Sequence, residues 1–136
     1  MTAITAPTTA AKDSLLRLAM RIDAVGSGLM GLVGVPLAPR IAELSGTTPA
    51  LEYSLGAFFI AYGIAVYALS LRKHVRTVGI ALVIGNLVYT ALAIGVVLAG
   101  LWPLTTTGIV LTLTSGVFTL VMAELQYQGL RRMRTT

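Results

Sequence analysis

Three charged side chains stand in or beside the apolar stretches of this chain, and any chemistry in an apolar interior would have to start with them. Arg21 and Asp23 open the first long apolar run, and Glu124 lies near the end of the last. A carboxylate in a medium of low dielectric constant can carry a proton or hold a cation, so an ionisable group inside a membrane span is a functional candidate by default. Counted along their runs, however, Arg21, Asp23 and Glu124 all map near the edge of the apolar layer, where Arg17 and Arg21 can extend their heads into the headgroups. The expectation is a polar cluster of Arg21, Asp23 and Glu124 acting as a clasp between helices, with a proton or cation relay as the other reading. Glu124 shares a helix stripe with Leu113, Val117 and Leu120, which argues against its membership.

A second group lies deeper. Asn86 falls about nine residues into its apolar run, roughly 14 Å at 1.5 Å per residue, and Tyr62, Tyr89, Thr112 and Ser115 fall at similar depth. An amide in hydrocarbon needs partners. Asn86 is therefore expected to point inward and to bond one of these hydroxyls or a carbonyl. That arrangement reads as glue between helices or, alternatively, as a site for a small ligand or ion.

Other chemistries find no residues. There is no Cys, and His74 is the only His, so neither thiolate metal sites nor haem with two axial His can be built. A Ser nucleophile would lack a nearby base. Gly26-Ser27-Gly28 opens no strand-to-helix unit and is not a phosphate loop. The expectation is a protein without enzymatic activity and without a cofactor.

The elements that must position these groups follow from composition. Of 136 residues, 56% are hydrophobic and only 11% charged, against about 25% charged in a soluble domain; mean hydropathy is +0.86. The length allows one domain. The fold class expected is all-α, a four-helix transmembrane bundle running up-down-up-down, with spans at about 14–38, 51–71, 77–100 and 105–126. Asp13 or Ser14 can cap the first helix, which should stop at Pro36 and Pro39. The linker leaves room for one short helical turn ending at Gly46. Thr48 and Pro49 signal the start of the second span, with Glu52 in its first turn. The short turn at residues 72–76 makes spans two and three antiparallel neighbours. Residues 1–12 read as a disordered cytoplasmic tail and 131–136 as a basic one. No stretch alternates with period two, so a transmembrane barrel has no support.

Nine of the ten Lys and Arg form three clusters: Lys12, Arg17 and Arg21; Arg72, Lys73 and Arg76; Arg131, Arg132 and Arg134. These clusters occupy alternate connections, whereas the other side carries only Arg40, offset by Glu43 and Glu52. The positive-inside rule then puts both termini in the cytoplasm. Trp102 and Tyr53 on the far side and Tyr127 on the near side fit an aromatic belt. A nucleic-acid face would mass its charges on one surface, so nucleic acid is not expected as a partner.

Helices in lipid associate through small residues that let backbones approach. Candidate stripes are Ser27, Gly31, Gly34 and Ala38; Ala57, Ala61 and Ala65; and Ala91, Gly95 and Ala99. The fourth span has the sharpest seam, with Thr105, Thr112, Thr119 and Gln126 recurring every seven residues and Gly108, Ser115, Met122 and Gly129 between them. Its other side is Val110, Leu113, Val117, Leu120 and Val121.

Arg21-Ile22-Asp23-Ala24, Asn86, Ala123-Glu124-Leu125-Gln126 and Gly129-Leu130-Arg131-Arg132 together resemble an uncharacterised family of small four-span bacterial integral membrane proteins. The resemblance covers most of the chain from the first span onward. It implies the four-span fold and supplies no reaction or ligand. Eight Arg against two Lys, with abundant Ala, Gly and Val, suit a GC-rich bacterial genome. Two functions are expected from these readings. One is a non-enzymatic component of the bacterial inner membrane, partnered by the lipid bilayer and by copies of itself or a larger membrane complex. The other is a small proton-coupled transporter of the four-helix multidrug type using Asp23 or Glu124. Against the second stand the shallow position read for Asp23 and the strong charge bias.

Overall fold

The computed structural model describes residues 12–134, and among these every regular element is a helix. Helix α1 (Ser14–Gly34) begins after Asp13. The Asp13 carboxylate does not cap the helix but pairs with Arg17 one turn on, at 3.0 Å. The first apolar run does not continue straight to residue 38. It breaks after Gly34, and α2 (Ala38–Ser45) leaves at 89°. Pro36 has no N–H to continue the ladder, while Pro39 sits in the first turn of α2, where a missing N–H costs nothing. Pro39 thus starts a helix instead of stopping one. Helix α2 ends at Gly46, whose φ of 79° is left-handed and whose N–H reaches the Ala42 carbonyl at 3.0 Å.

Helix α3 (Pro49–Ser70) starts as its sequence suggests. Thr48 Oγ1 accepts from the Leu51 N–H at 3.2 Å, Pro49 holds the first position, and Glu52 lies in the first turn. Helix α4 (Arg76–Ala99) closes on Gly100. Helix α5 (Thr106–Arg134) passes the expected end at 126 and includes Arg131, Arg132 and Arg134, so the basic segment is helical up to Arg134. Its extra turns are held because Gly129 and Leu130 are buried against Leu16 and Gly79, and the three Arg complement the negative end of the helix dipole. Residues 1–11 of the expected N-terminal tail, and 135–136, lie outside the described residues.

Helices α3, α4 and α5 are each long and apolar enough to cross a membrane, and the bent pair α1 and α2 makes a fourth if counted as one span. Leu18, Val25, Leu29 and Leu32 on α1, and Val110, Val117 and Leu120 on α5, are exposed large apolar side chains, as a lipid-facing surface requires. The principal packed pairs are α1 with α3, α4 with α5 and α1 with α5. Although α3 and α4 are joined by a short turn, they are not among these pairs and touch through large side chains, Phe59 and Tyr89 lying 5.8 Å apart. The core runs through Leu16, Met20 and Ala24 of α1, Val66 of α3, Val75, Leu82 and Leu130.

Both ends of the molecule are tied by backbone carbonyls. At one, the Arg17 guanidinium donates to the carbonyls of Ser70, Arg72 and Lys73 at 2.7, 2.5 and 2.9 Å. The last carbonyls of a helix have no partner within it, so this α1 side chain terminates α3. At the other end α2 docks on the start of α5. Thr105 donates to the Ser45 carbonyl through its N–H at 3.0 Å and to the Leu44 carbonyl through Oγ1 at 2.6 Å.

Candidate functional site

The four long helices meet at one carboxylate. Asp23, on α1, is 0% exposed, and its Oδ2 accepts from Tyr62 Oη of α3 at 2.7 Å, from Asn86 Nδ2 of α4 at 3.0 Å and from Gln126 Nε2 of α5 at 2.8 Å. Ser27, one turn on, donates to Oδ1 at 3.2 Å. Asn86 Nδ2 also donates to Gln126 Oε1 at 2.9 Å, so the two amides are bonded to each other as well as to the carboxylate. Asn86 and Gln126 are 4% and 0% exposed. A buried ion is tolerated only when hydrogen-bonded or paired. Here the bonds do it: among the described residues no ion pair involves Asp23.

Asp23 lies nine residues after Ser14, about 14 Å along α1, while Asn86 lies ten after Arg76 and Tyr62 and Gln126 each lie eight before the end of their helices. The four side chains are therefore level, roughly two to three turns from these helix ends. Arg17 and Arg21 are expected to reach outward to headgroups. Arg17 instead turns into the protein to bond the α3–α4 turn, and Arg21 Nε donates to Ser70 Oγ at 3.3 Å.

The expected cluster of Arg21, Asp23 and Glu124 does not form. Glu124 is exposed and accepts from Gln128 Nε2 at 2.7 Å, one turn along its own helix. Asn86 is buried as expected, but its side-chain partners are Asp23 and Gln126 instead of Tyr89, Thr112 or Ser115. Of that midspan set only Tyr62 joins it at the centre. Tyr89 Oη donates to Ser115 Oγ at 3.0 Å in a separate α4–α5 bond, and Thr112 Oγ1 bonds the Gly108 carbonyl of its own helix at 2.7 Å. In the sequence Ser27 belongs to a small-residue stripe and Gln126 to a seam that reads as packing or as the wall of a polar cavity. Gln126 carries the same signal as Asn86, an uncharged amide on an apolar helix.

Hydroxyls beyond the amides also join α4 to α5. Thr90 Oγ1 lies 3.0 Å from the Asn86 carbonyl, 2.9 Å from that of Gly116 and 2.7 Å from Thr119 Oγ1, tying α4 to α5 one turn beyond the amides. His74 is exposed in the turn after α3, and no group of three or more His, Asp or Glu that could hold a metal occurs among the described residues.

The arrangement has a definite chemical consequence. Three donors converge on one oxygen, which suits an oxygen carrying no proton. A proton on Oδ2 would need an acceptor, so either Tyr62 Oη would reverse its bond and accept, or one of the amides would turn its oxygen toward Oδ2. The centre joins the long helices of an all-helical chain, three or four of whose spans are long and apolar enough to cross a membrane, through the Asp23 carboxylate. Comparison with family models, with curated proteins and with solved structures finds no match to this chain.

Proposed function

We propose that this chain is a non-enzymatic integral membrane protein, a four-span bundle running up-down-up-down with both termini cytoplasmic, that serves in a bacterial cell membrane as an accessory or self-associating component. The observation that carries this reading is the internal use of the polar centre. Asp23 draws donors from α3, α4 and α5, and neither the surface groove between α4 and α5 nor the one between α1 and α3 is lined by Asp23, Asn86 or Gln126. A site built to take a substrate leaves polar groups unpartnered and open; this one joins helices. The alternating order is supported by the start of α1, the end of α3, the start of α4 and the end of α5 gathering around Arg17, Val75 and Leu130. Purification in a mild detergent tests the role: a stoichiometric partner or a defined homo-oligomer is expected, and a chain that stays monomeric and alone contradicts it.

One observation favours a second reading, a small proton-coupled transporter. Asp23 is wholly buried and free of a cationic partner among the described residues, which are properties a proton-carrying carboxylate needs. Glu124 has no such setting. Proton-driven uptake into vesicles, comparing the natural chain with Asp23→Asn and Glu124→Gln, separates the readings. The transporter requires uptake that is lost in Asp23→Asn and kept in Glu124→Gln; no uptake by the natural chain leaves the first reading.

A further inference from the structure

The start of α4 and the end of α5 enclose a surface groove whose two parts differ in chemistry. Its walls are Ile80, Ile84 and Leu130, and its mouth is Arg76, Arg131 and Arg134. The Arg131 guanidinium stands over the Tyr127 ring at 5.9 Å, which fixes one cation at the rim. Arg17 and Arg40 have carboxylate partners. The three Arg at this mouth have none among the described residues, and residues 1–11 and 135–136 contain no acidic side chain. Helix α4 has no acidic residue, and Glu124, the one acid of α5, is bonded to Gln128. Uncompensated cations at the rim of an apolar groove, at the end of two helices long and apolar enough to span a bilayer, match a molecule with an anionic head and a hydrocarbon tail.

We propose that this groove binds an anionic phospholipid, its phosphate held by Arg76, Arg131 and Arg134 and one acyl chain lying along Ile80, Ile84 and Leu130. A second groove, between α1 and α3, is lined by Val25, Leu29, Leu32, Ile60 and Ile64 with no charged residue, and it offers no contact to a charged headgroup. The inference goes beyond the role proposed above and shares with it only the placement of α4 and α5 in a bilayer.

Native mass spectrometry of the full chain in mild detergent tests it, with phosphatidylglycerol, phosphatidylcholine or inorganic phosphate added. Phosphatidylglycerol is expected to be retained in preference to phosphatidylcholine, with inorganic phosphate failing to displace it. Replacing one Arg by Gln should weaken retention about fivefold, the effect of one cation near a membrane surface. Arg76→Gln/Arg131→Gln/Arg134→Gln should abolish the preference, and Ile84→Trp, which fills the groove and keeps the charges, should lower retention. Equal retention of both lipids by the natural chain, displacement by inorganic phosphate, or a preference unchanged by single Arg variants and Ile84→Trp would overturn the proposal. So would a dimer whose groove is closed to lipid. Flotation with phosphatidylcholine vesicles keeps the two failures apart: a chain that does not insert refutes the membrane reading, whereas insertion without headgroup preference refutes only the lipid site.

Discussion

At the scale of residues, the Asp23 centre behaves as one unit, because each partner satisfies more than one group. Removing Asn86 takes a donor from Asp23 Oδ2 and leaves Gln126 Oε1 without the bond it accepts. Asn86→Leu should therefore lower stability in detergent by about 0.6 to 2 kcal/mol, the range for bonds between helices in membranes. Asp23→Leu should cost more. It strips the shared acceptor from Tyr62, Asn86 and Gln126, at about 1 to 3 kcal/mol for each buried group left unpaired. Asp23→Asn keeps an acceptor of the same shape and should fall between the natural chain and Asp23→Leu. The two Leu changes together should cost less than the sum of the single ones, since each removes groups that the other would orphan. Unfolding midpoints of the four proteins of this cycle, taken in one detergent, decide the matter. Strict additivity would mean that Asp23 and Asn86 do not share a network.

At the scale of elements, packing depends on which small residues face a neighbour, and here the sequence was legible only in part. The α5 seam was readable because hydroxyls and an amide repeat among apolar residues, and Gly108, Thr119, Met122, Gln126 and Gly129 are indeed buried. The small-residue stripes expected on α3 and α4 do not face a neighbouring helix. Ala57, Ala61, Ala65, Ala91, Gly95 and Ala99 are exposed, and the buried positions are Gly56, Gly63, Val66 and Ser70 on α3 and Gly79, Leu82, Asn86 and Ala93 on α4. Ala is about as well solvated by lipid as by another helix, so it says little about which side faces in; contact between backbones is decided at Gly. The α1–α3 pair gives a test. A Cβ on Gly63 would lie 2.6 Å from the Ala24 carbonyl oxygen and 3.0 Å from the Gly28 nitrogen, both backbone atoms that cannot rotate away. A Cβ on Gly28 would meet nothing within 4 Å. Gly63→Ala should thus destabilise by about 1 to 3 kcal/mol, while Gly28→Ala, on the same interface but in open space, should leave the midpoint nearly unchanged. Equal effects would refute the close approach. Helix starts are more readable than tertiary bonds: Thr48 and Pro49 act locally, whereas the bonds from Arg17 to the carbonyls after α3 arise only in three dimensions.

For the whole molecule, the decisive quantity is the side of the bilayer on which each connection lies. The charge clusters at Lys12 to Arg21, Arg72 to Arg76 and Arg131 to Arg134 occupy one end, joined there through Arg17 and the carbonyls after α3. Helix α2 and the connection before α5 close the other end through Thr105, where Arg40 is paired with Glu43 at 3.1 Å. On the topology proposed above, the positive-inside rule predicts that the turn holding His74 is cytoplasmic and Arg40 outside. Because the chain has no Cys, single replacements offer an unambiguous background. His74 and Arg40 are both exposed, so neither change disturbs the core. In intact cells a membrane-impermeant thiol reagent should label Arg40→Cys and spare His74→Cys, with His74→Cys becoming reactive once the membrane is permeabilised. The reversed pattern would invert the topology while keeping the fold. Labelling of both sites in intact cells would be incompatible with a bilayer lying between the two ends, and with it the reading of Asp23 as a carboxylate at membrane depth would fail.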